Sequence, residues 1–182
     1  GDGNAMLRFW QDFLTPHYPL PFRKGDVLCA IMAQDALREP GKEINMAKNY
    51  DYNVGVIEDF RSNAGKPTGR FEGRPILLLT MTGAKSGNQR TTPLMYLEDG
   101  DRCVVFASKG GGPTNPDWYH NVVAHPTVTL EVGAEKFQAK ATLATGEERD
   151  ALFARQVAAF PIFGEYEQKA PRTIPVVVFS RV

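Results

Sequence analysis

The stretch Pro75-Ile-Leu-Leu-Leu-Thr-Met81, followed by Arg90-Thr-Thr-Pro-Leu-Met-Tyr-Leu97, Glu98-Asp-Gly-Asp101 and Cys103-Val-Val-Phe-Ala-Ser108, decides the fold. Short apolar runs between Gly- and Asp-bearing turns read as strands, with Glu98 to Asp101 as a hairpin turn, so a three-strand meander is expected here. Working outward, Thr127 to Val132 and Lys136 to Ala144 give two more strands, and the valine-rich run Ile174 to Arg181 reads as a buried closing strand. Six strands with few long crossovers predict a mainly β, α+β domain: a small antiparallel barrel with peripheral helices on its rim.

Helical patterns flank these runs. Val54, Ile57, Phe60 and Arg61 form one face within Asp51 to Ala64, broken by Gly65, Pro67 and Gly69. Asn115-Pro116 opens a short helix through Trp118, Val122 and Val123, with Asn115 as its cap and Pro116 in its first turn. Thr145-Gly-Glu-Glu148 has the form of a capping box, for a helix through Leu152, Phe153, Gln156, Val157 and Phe160 that stops at Pro161. Upstream, Met6, Trp10, Phe13 and Leu14 recur at helical spacing until Pro16, and Asp26 caps a second helix through Val27, Leu28, Ile31, Met32 and Leu37. Residues 1–45 are therefore expected to form an N-terminal helical extension, with 1–5 a remnant of recombinant expression, and residues 46–182 the barrel domain. The apolar face of the first helix has three candidate partners: its own domain, a second subunit of a homodimer, or a membrane interface.

Composition narrows the function. A chain of 182 residues, 42% apolar and 23% charged, has a core and is not disordered. Its 21 basic and 21 acidic residues balance, so no global field draws it to nucleic acid. Neither a membrane-spanning apolar run nor a leader pattern is present, which points to a cytoplasmic protein with peripheral membrane contact left open. Cys29 and Cys103 form no CxxC or zinc pattern and read as reduced, packed thiols. His17, His120 and His125 lack the spacing of a metal site.

Charge is locally uneven. From Arg61 to Arg90 the chain carries Arg61, Lys66, Arg70, Arg74, Lys85 and Arg90 against Glu72 alone, a net of +5. This is either a solvated basic surface or the seat of an anionic ligand. Within it, Thr82-Gly-Ala-Lys-Ser-Gly87 follows a strand and reads either as a plain turn or as an anion-binding nest, but not as a nucleotide-hydrolysing P-loop. Ser108-Lys-Gly-Gly-Gly112 permits close backbone approach to a ligand, with Trp118 available as a flat wall; the alternative is a flexible loop and a core tryptophan. With no nucleophile elbow and no cysteine beside a base, an enzyme built this way takes its chemistry from a cofactor.

Leu77-Leu-Leu-Thr-Met-Thr-Gly-Ala-Lys-Ser-Gly-Asn-Gln-Arg-Thr-Thr-Pro-Leu94, Ala107-Ser-Lys-Gly-Gly111, Asn115-Pro-Asp-Trp-Tyr-His-Asn121 and Arg172-Thr-Ile-Pro175 together resemble the deazaflavin-dependent nitroreductase family of actinobacteria. The resemblance covers Asp51 to Val182 and implies a six-stranded split β-barrel, FMN-binding-like, that binds coenzyme F420. It implies that Lys85, Ser86 and Arg90 hold the phosphate and tail. Thr91, Thr92, Pro93, Ala107, Ser108, Lys109 and Gly110 would line the ring, and Asp117, Trp118 and Asn121 would close the other side. An acceptor would lie against Phe160, Phe163 and Tyr166, with Ser108 and Tyr166 as catalytic hydroxyls. Phe160 and Phe163 stand where the best-known nitroreductase has tyrosines. The implied activity is hydride transfer from F420H2 to an enone, a quinone or a nitroaromatic. The rival expectations are a non-catalytic F420 carrier and a split-barrel protein that binds FMN or haem.

Overall fold

The computed structural model describes residues 46–182. The two N-terminal helices expected from Met6 and Asp26, together with His17 and Cys29, lie outside the described residues.

Helix α1 (Met46–Ser62) leads into strands β1 (Ile76–Thr82), β2 (Gln89–Met95), β3 (Leu97–Asp99) and β4 (Arg102–Phe106). Helix α2 (Asp117–Ala124), strands β5 (Thr127–Val132) and β6 (Glu135–Ala144), helices α3 (Gly146–Ala159) and α4 (Ile162–Lys169), and strand β7 (Val176–Arg181) complete the chain. The strands form one antiparallel sheet in the order β2-β1-β5-β6-β7-β4-β3. Its two outermost strands, β2 and β3, are separated in sequence by Tyr96 alone, so the sheet has to curl until its ends meet. The result is a curled half-barrel with helices packed outside.

Three sequence expectations are corrected here. Among the described residues there are seven strands, not six, because the run from Arg90 to Leu97 changes partner at Tyr96: β2 pairs with β1, and β3 pairs with β4. The expected meander is broken for the same reason, since β4 lies between β3 and β7, at the far end of the sheet from β1. The hairpin turn shortens to Gly100-Asp101, because Glu98 and Asp99 join the ladder opposite Cys103 and Arg102.

Strand alternation sorts the core into layers. Leu77, Leu79 and Met81 of β1, Leu94 of β2, Val105 of β4, Val128 and Leu130 of β5, Ala139 and Ala141 of β6, and Val177 and Phe179 of β7 fill the interior, with Val122 of α2 packed among them. The residues between them face outward and are also buried. Ile76, Leu78 and Met95 pack with Phe60 under α1. Val104, Phe106, Val176 and Val178 pack under Leu152, Phe153, Phe163 and Tyr166 of α3 and α4. Burial on both faces, in the interior on one side and under the helices on the other, explains why β1 and β7 are largely apolar runs, not alternating ones.

The caps differ from those expected. Pro116, not Asn115, is the N-cap of α2, with no side-chain cap bond. Thr145 is the N-cap of α3, yet its side chain makes no cap bond, and Glu148 instead accepts from Arg102 Nη1 at 2.9 Å. Helix α4 was not expected. It restarts one residue after Pro161 ends the preceding turn and buries Phe163 and Tyr166 at i, i+3 spacing.

Two contacts fix α1 to the sheet. Arg61 forks onto buried Glu131 of β5, with Nε to Oε2 at 2.9 Å and Nη2 to Oε1 at 2.6 Å. These bonds hold the Glu131 carboxyl below its ordinary range against the opposing effect of burial. Just past the helix, Gly65 (φ +78°) lies on the β5–β6 turn so closely that a Cβ there would sit 1.8 Å from the Gly133 carbonyl oxygen. Among the described residues no helix is long and apolar enough to cross a membrane.

Replacing Gly65 with alanine is expected to cost roughly 3 kcal/mol, from the left-handed backbone and the forced displacement together. Thermal denaturation should show a fall of about 6–12 °C; an unchanged midpoint would remove this contact from the fold. The lowered Glu131 value means that the pair stabilises the protein above the ordinary glutamate pKa, about 4.3. That contribution disappears as the pH falls through the lower folded value. Glu131→Gln should therefore lose about 1 kcal/mol at neutral pH and flatten the acid limb of the stability profile, and an acid limb of unchanged steepness would contradict it.

Candidate active site

The change of partner at Tyr96 also opens the site. β3 covers β4 only from Arg102 to Val104, so among the described residues Val105 and Phe106 have β7 on one side and no strand on the other. Opposite them, Thr92 to Met95 of β2 pair only with β1. The gap between is a cleft lined by Thr92, Pro93, Leu94, Met95, Val105 and Phe106. Its ends and walls are completed by Ser108, Lys109 and Gly110, by Pro116 and Trp118, by Phe163 and Tyr166, and by Asn53 of α1.

The loop after β4 is tightly specified. Lys109, Gly110 and Gly111 all have positive φ, at 48°, 56° and 76°. A lysine in this region is uncommon, and such outliers persist where the surroundings impose them. The surroundings are visible. Gly111 donates to the Ser108 carbonyl at 3.0 Å, and Gly112 to the Lys109 carbonyl at 2.8 Å. Lys109 Nζ donates to Thr114 Oγ1 at 3.0 Å. A Cβ on Gly111 would meet the Tyr166 carbonyl oxygen at 2.8 Å, so α4 rests directly on this turn.

Arg172 clamps the same loop from the other side. Its Nε donates to the Gly112 carbonyl at 3.1 Å, and its Nη2 donates to the Ala107 and Ser108 carbonyls at 3.1 and 3.0 Å. The sequence marked Arg172 as part of a motif but gave it no task, because its partners are backbone groups 60 to 65 positions away.

The sequence-predicted residues fall into three groups. Thr92, Pro93, Ser108, Lys109, Gly110, Trp118, Phe163 and Tyr166 line the cleft together. Lys85, Ser86 and Arg90 are exposed at the β1–β2 tip, beyond the Thr92 end of the cleft. There the Gly83 amide donates to the Asn88 carbonyl at 2.8 Å, and the Ala84 amide donates to Asn121 Oδ1 at 2.9 Å, which ties α2 to the tip. The remaining residues contribute from behind or outside. Thr91 shares a 2.8 Å hydroxyl bond with Thr80, Ala107 is fully buried, and Asp117 is exposed in the first turn of α2. Phe160 packs between the two outer core clusters. Cleft residues the sequence did not single out are Asn53, Leu94, Met95, Val105, Phe106 and Pro116.

The basic run is not one surface. Arg61 is engaged by Glu131, while Lys66 and Arg74 border a separate hollow near the start of β1. Lys85 and Arg90 lie beyond its far end, about 20 Å along the strand. Away from the cleft, burial followed by the Glu98 charge pushes the Cys103 thiol up to about 11, which makes it unreactive at neutral pH. No cluster of metal-ligating side chains occurs among the described residues.

A half-barrel with an open seam, flat apolar walls and exposed cations beyond one end is built to take a flat ligand with an anionic tail. A family model for F420H(2)-dependent quinone reductases matches residues 55–181, and the chain belongs to that family. An F420H(2)-dependent quinone reductase of Mycobacterium tuberculosis is 38% identical over 126 residues, covering 67% of this chain and 85% of that relative. A solved F420-H2 dependent reductase is 44% identical and covers 59% of this chain and 95% of its own, with a TM-score of 0.55. A second solved structure, described as a domain-swapped dimer, is 36% identical and covers 74% and 98%, with a TM-score of 0.57. The protein is thus an F420H2-dependent oxidoreductase, and reduced coenzyme F420 is its cofactor.

The residues fit a flat, anionic cofactor. Among the described residues Lys85 and Arg90 have no ion-pair partner. Asn115 Oδ1, next to the wall residue Pro116, is buried without a hydrogen-bond donor.

Arg172→Ala should free three loop carbonyls and weaken deazaflavin binding by roughly tenfold or more. Arg172→Lys should fall between, since one ammonium does not reproduce the fork. Fluorescence titration measures both, and wild-type affinity in the alanine variant would separate the clamp from the site.

Proposed function

We propose that this oxidoreductase reduces flat, electron-poor carbonyl compounds, with quinones first, enones next and nitroaromatics as weaker acceptors. The observation that carries this reading is the cleft itself. Its apolar walls are Pro93, Leu94, Met95, Val105, Phe106, Trp118 and Phe163, and its polar side chains are Asn53, Thr92, Ser108, Lys109 and Tyr166. Such a slot favours planar apolar rings and orients them through a few hydrogen bonds.

Lys85 and Arg90 are placed to hold the cofactor's phosphate and acidic tail outside the slot, and Ser86 adds a hydroxyl. Thr92, Pro93 and the Lys109–Gly110 backbone then position the ring, with Trp118 as the opposing wall. Bound F420H2 supplies a hydride and a proton, which together convert a quinone to a hydroquinone. The chain's part is to exclude water, align the acceptor and deliver the proton at its oxygen, a task assigned to the Ser108 and Tyr166 hydroxyls. The likeness to a domain-swapped dimer supports a homodimer as the assembled form. The amphipathic pattern from Met6 to Leu14 supports peripheral contact of a cytoplasmic protein with membrane, the phase in which lipophilic quinones dissolve.

The test is a titration with the deazaflavin, followed by menadione, cyclohexenone and a nitroaromatic added to the reduced complex while its absorbance is followed. Lys85→Ala and Arg90→Ala should each weaken cofactor binding by about 1–3 kcal/mol. Ser108→Ala combined with Tyr166→Phe should slow turnover by roughly 100-fold or more while binding persists. Binding without acceptor-dependent oxidation would replace the enzyme with a carrier.

A further inference from the structure

Asn53 breaks the pattern of its helix. In α1 the face toward the sheet is set by Val56, Ile57 and Phe60, which pack with Ile76, Leu78 and Met95. Asn53 precedes these by three, four and seven positions and so occupies the next place on the same face, where an apolar residue would continue the packing. Instead the chain places a neutral amide there, half-buried, and it lines the cleft. Among the described residues this amide has no hydrogen-bond partner, whereas Lys109, another polar residue of the lining, is engaged by Thr114.

Position along the slot gives the amide its meaning. The cations Lys85 and Arg90 mark the end at which the charged part of the cofactor is held. From Arg90 to Met95 the strand runs about 17 Å inward. Met95 packs against α1, so Asn53 stands at the end of the slot away from the cations. There an uncharged donor can meet an uncharged oxygen without competing for phosphate or carboxylate.

We infer that Asn53 is a specificity-determining residue: its side-chain amide donates a hydrogen bond to the carbonyl oxygen of the acceptor and fixes the ring in register for reduction. The inference rests on the quinone and enone reading given above. An apolar slot alone accepts any flat molecule, whereas one placed donor selects those with an oxygen at the matching edge.

Two variants test it. Asn53→Leu restores the apolar face and removes the donor, while Asn53→Gln keeps an amide. In the leucine variant kcat/KM for menadione should fall about tenfold, the loss of one hydrogen bond in a dry cleft. Deazaflavin affinity should stay within about twofold and the thermal midpoint should not drop, because the added contacts are apolar. The glutamine variant should recover a substantial part of the menadione activity. Unchanged kcat/KM in the leucine variant would overturn the assignment, as would equal losses in cofactor affinity and in turnover, since Asn53 would then serve the cofactor or the helix. Failure of the wild-type reduced complex to be oxidised by either menadione or cyclohexenone would sink the underlying reading, and the role of Asn53 with it. Wild-type turnover with an indifferent leucine variant sinks the role alone.

Discussion

One residue, Tyr96, separates a strand that pairs at one end of the sheet from a strand that pairs at the other. Backbone hydrogen bonding enforces the consequence. The ladder from β2 through β1, β5, β6 and β7 to β4 and β3 must return to its own starting point, and it can do so only by curling. Because β3 is three residues long, it covers the edge of β4 only from Arg102 to Val104, and that cover fails beyond. Every wall of the cleft is placed relative to that failure. Ala139 and Ala141 of β6 pack in the interior with Val177 and Phe179.

The helices and loops make the seam a defined site. α2 closes the interior with Val122 and lends Trp118 to the wall, while Asn121 ties it to the β1–β2 tip. α4 rests on the Gly111 turn and presents Phe163 and Tyr166. Arg149 links the two outer helices to the segment before β7, donating to Glu167 at 2.9 Å and to the Ile174 carbonyl at 3.1 Å. Arg172 lies in the same segment, so the clamp and the wall it supports share one foundation. The unfavourable backbone at Lys109 is held by this surrounding set of bonds and not by its own preference.

Much of this was legible in the sequence, for local reasons. The β1 and β7 runs were readable because both faces are covered and most residues in them are apolar. The Ser108 to Gly112 turn was readable because glycines adopt the left-handed backbone of Gly110 and Gly111 without strain. What failed depended on distant partners. Adjacent strands suggested a meander, but pairing is decided by the whole sheet, and Tyr96 carries no mark of the switch. Thr145 and Glu148 have the spacing of a capping box, yet Arg102, 46 positions earlier, takes the carboxylate. Arg61 counted toward a basic run that could be either solvated surface or anion seat, and neither reading pointed to Glu131, 70 positions on, which holds it. Helix α4 was hidden by Pro161, which ends one turn and serves as the N-cap of the next.

The seam leaves two strand edges facing each other with neither paired to the other. Unpaired edges of this kind are templates for unwanted association when nothing covers them. A ligand seated between them hides both, and because it binds the folded chain it also shifts the unfolding equilibrium. At a free concentration one hundred times its dissociation constant the shift is about 2.7 kcal/mol, a large fraction of the stability of an ordinary domain. The abundance and solubility of this protein in a cell are therefore coupled to the supply of its deazaflavin. Cells starved of the cofactor should lose the protein itself as well as its activity.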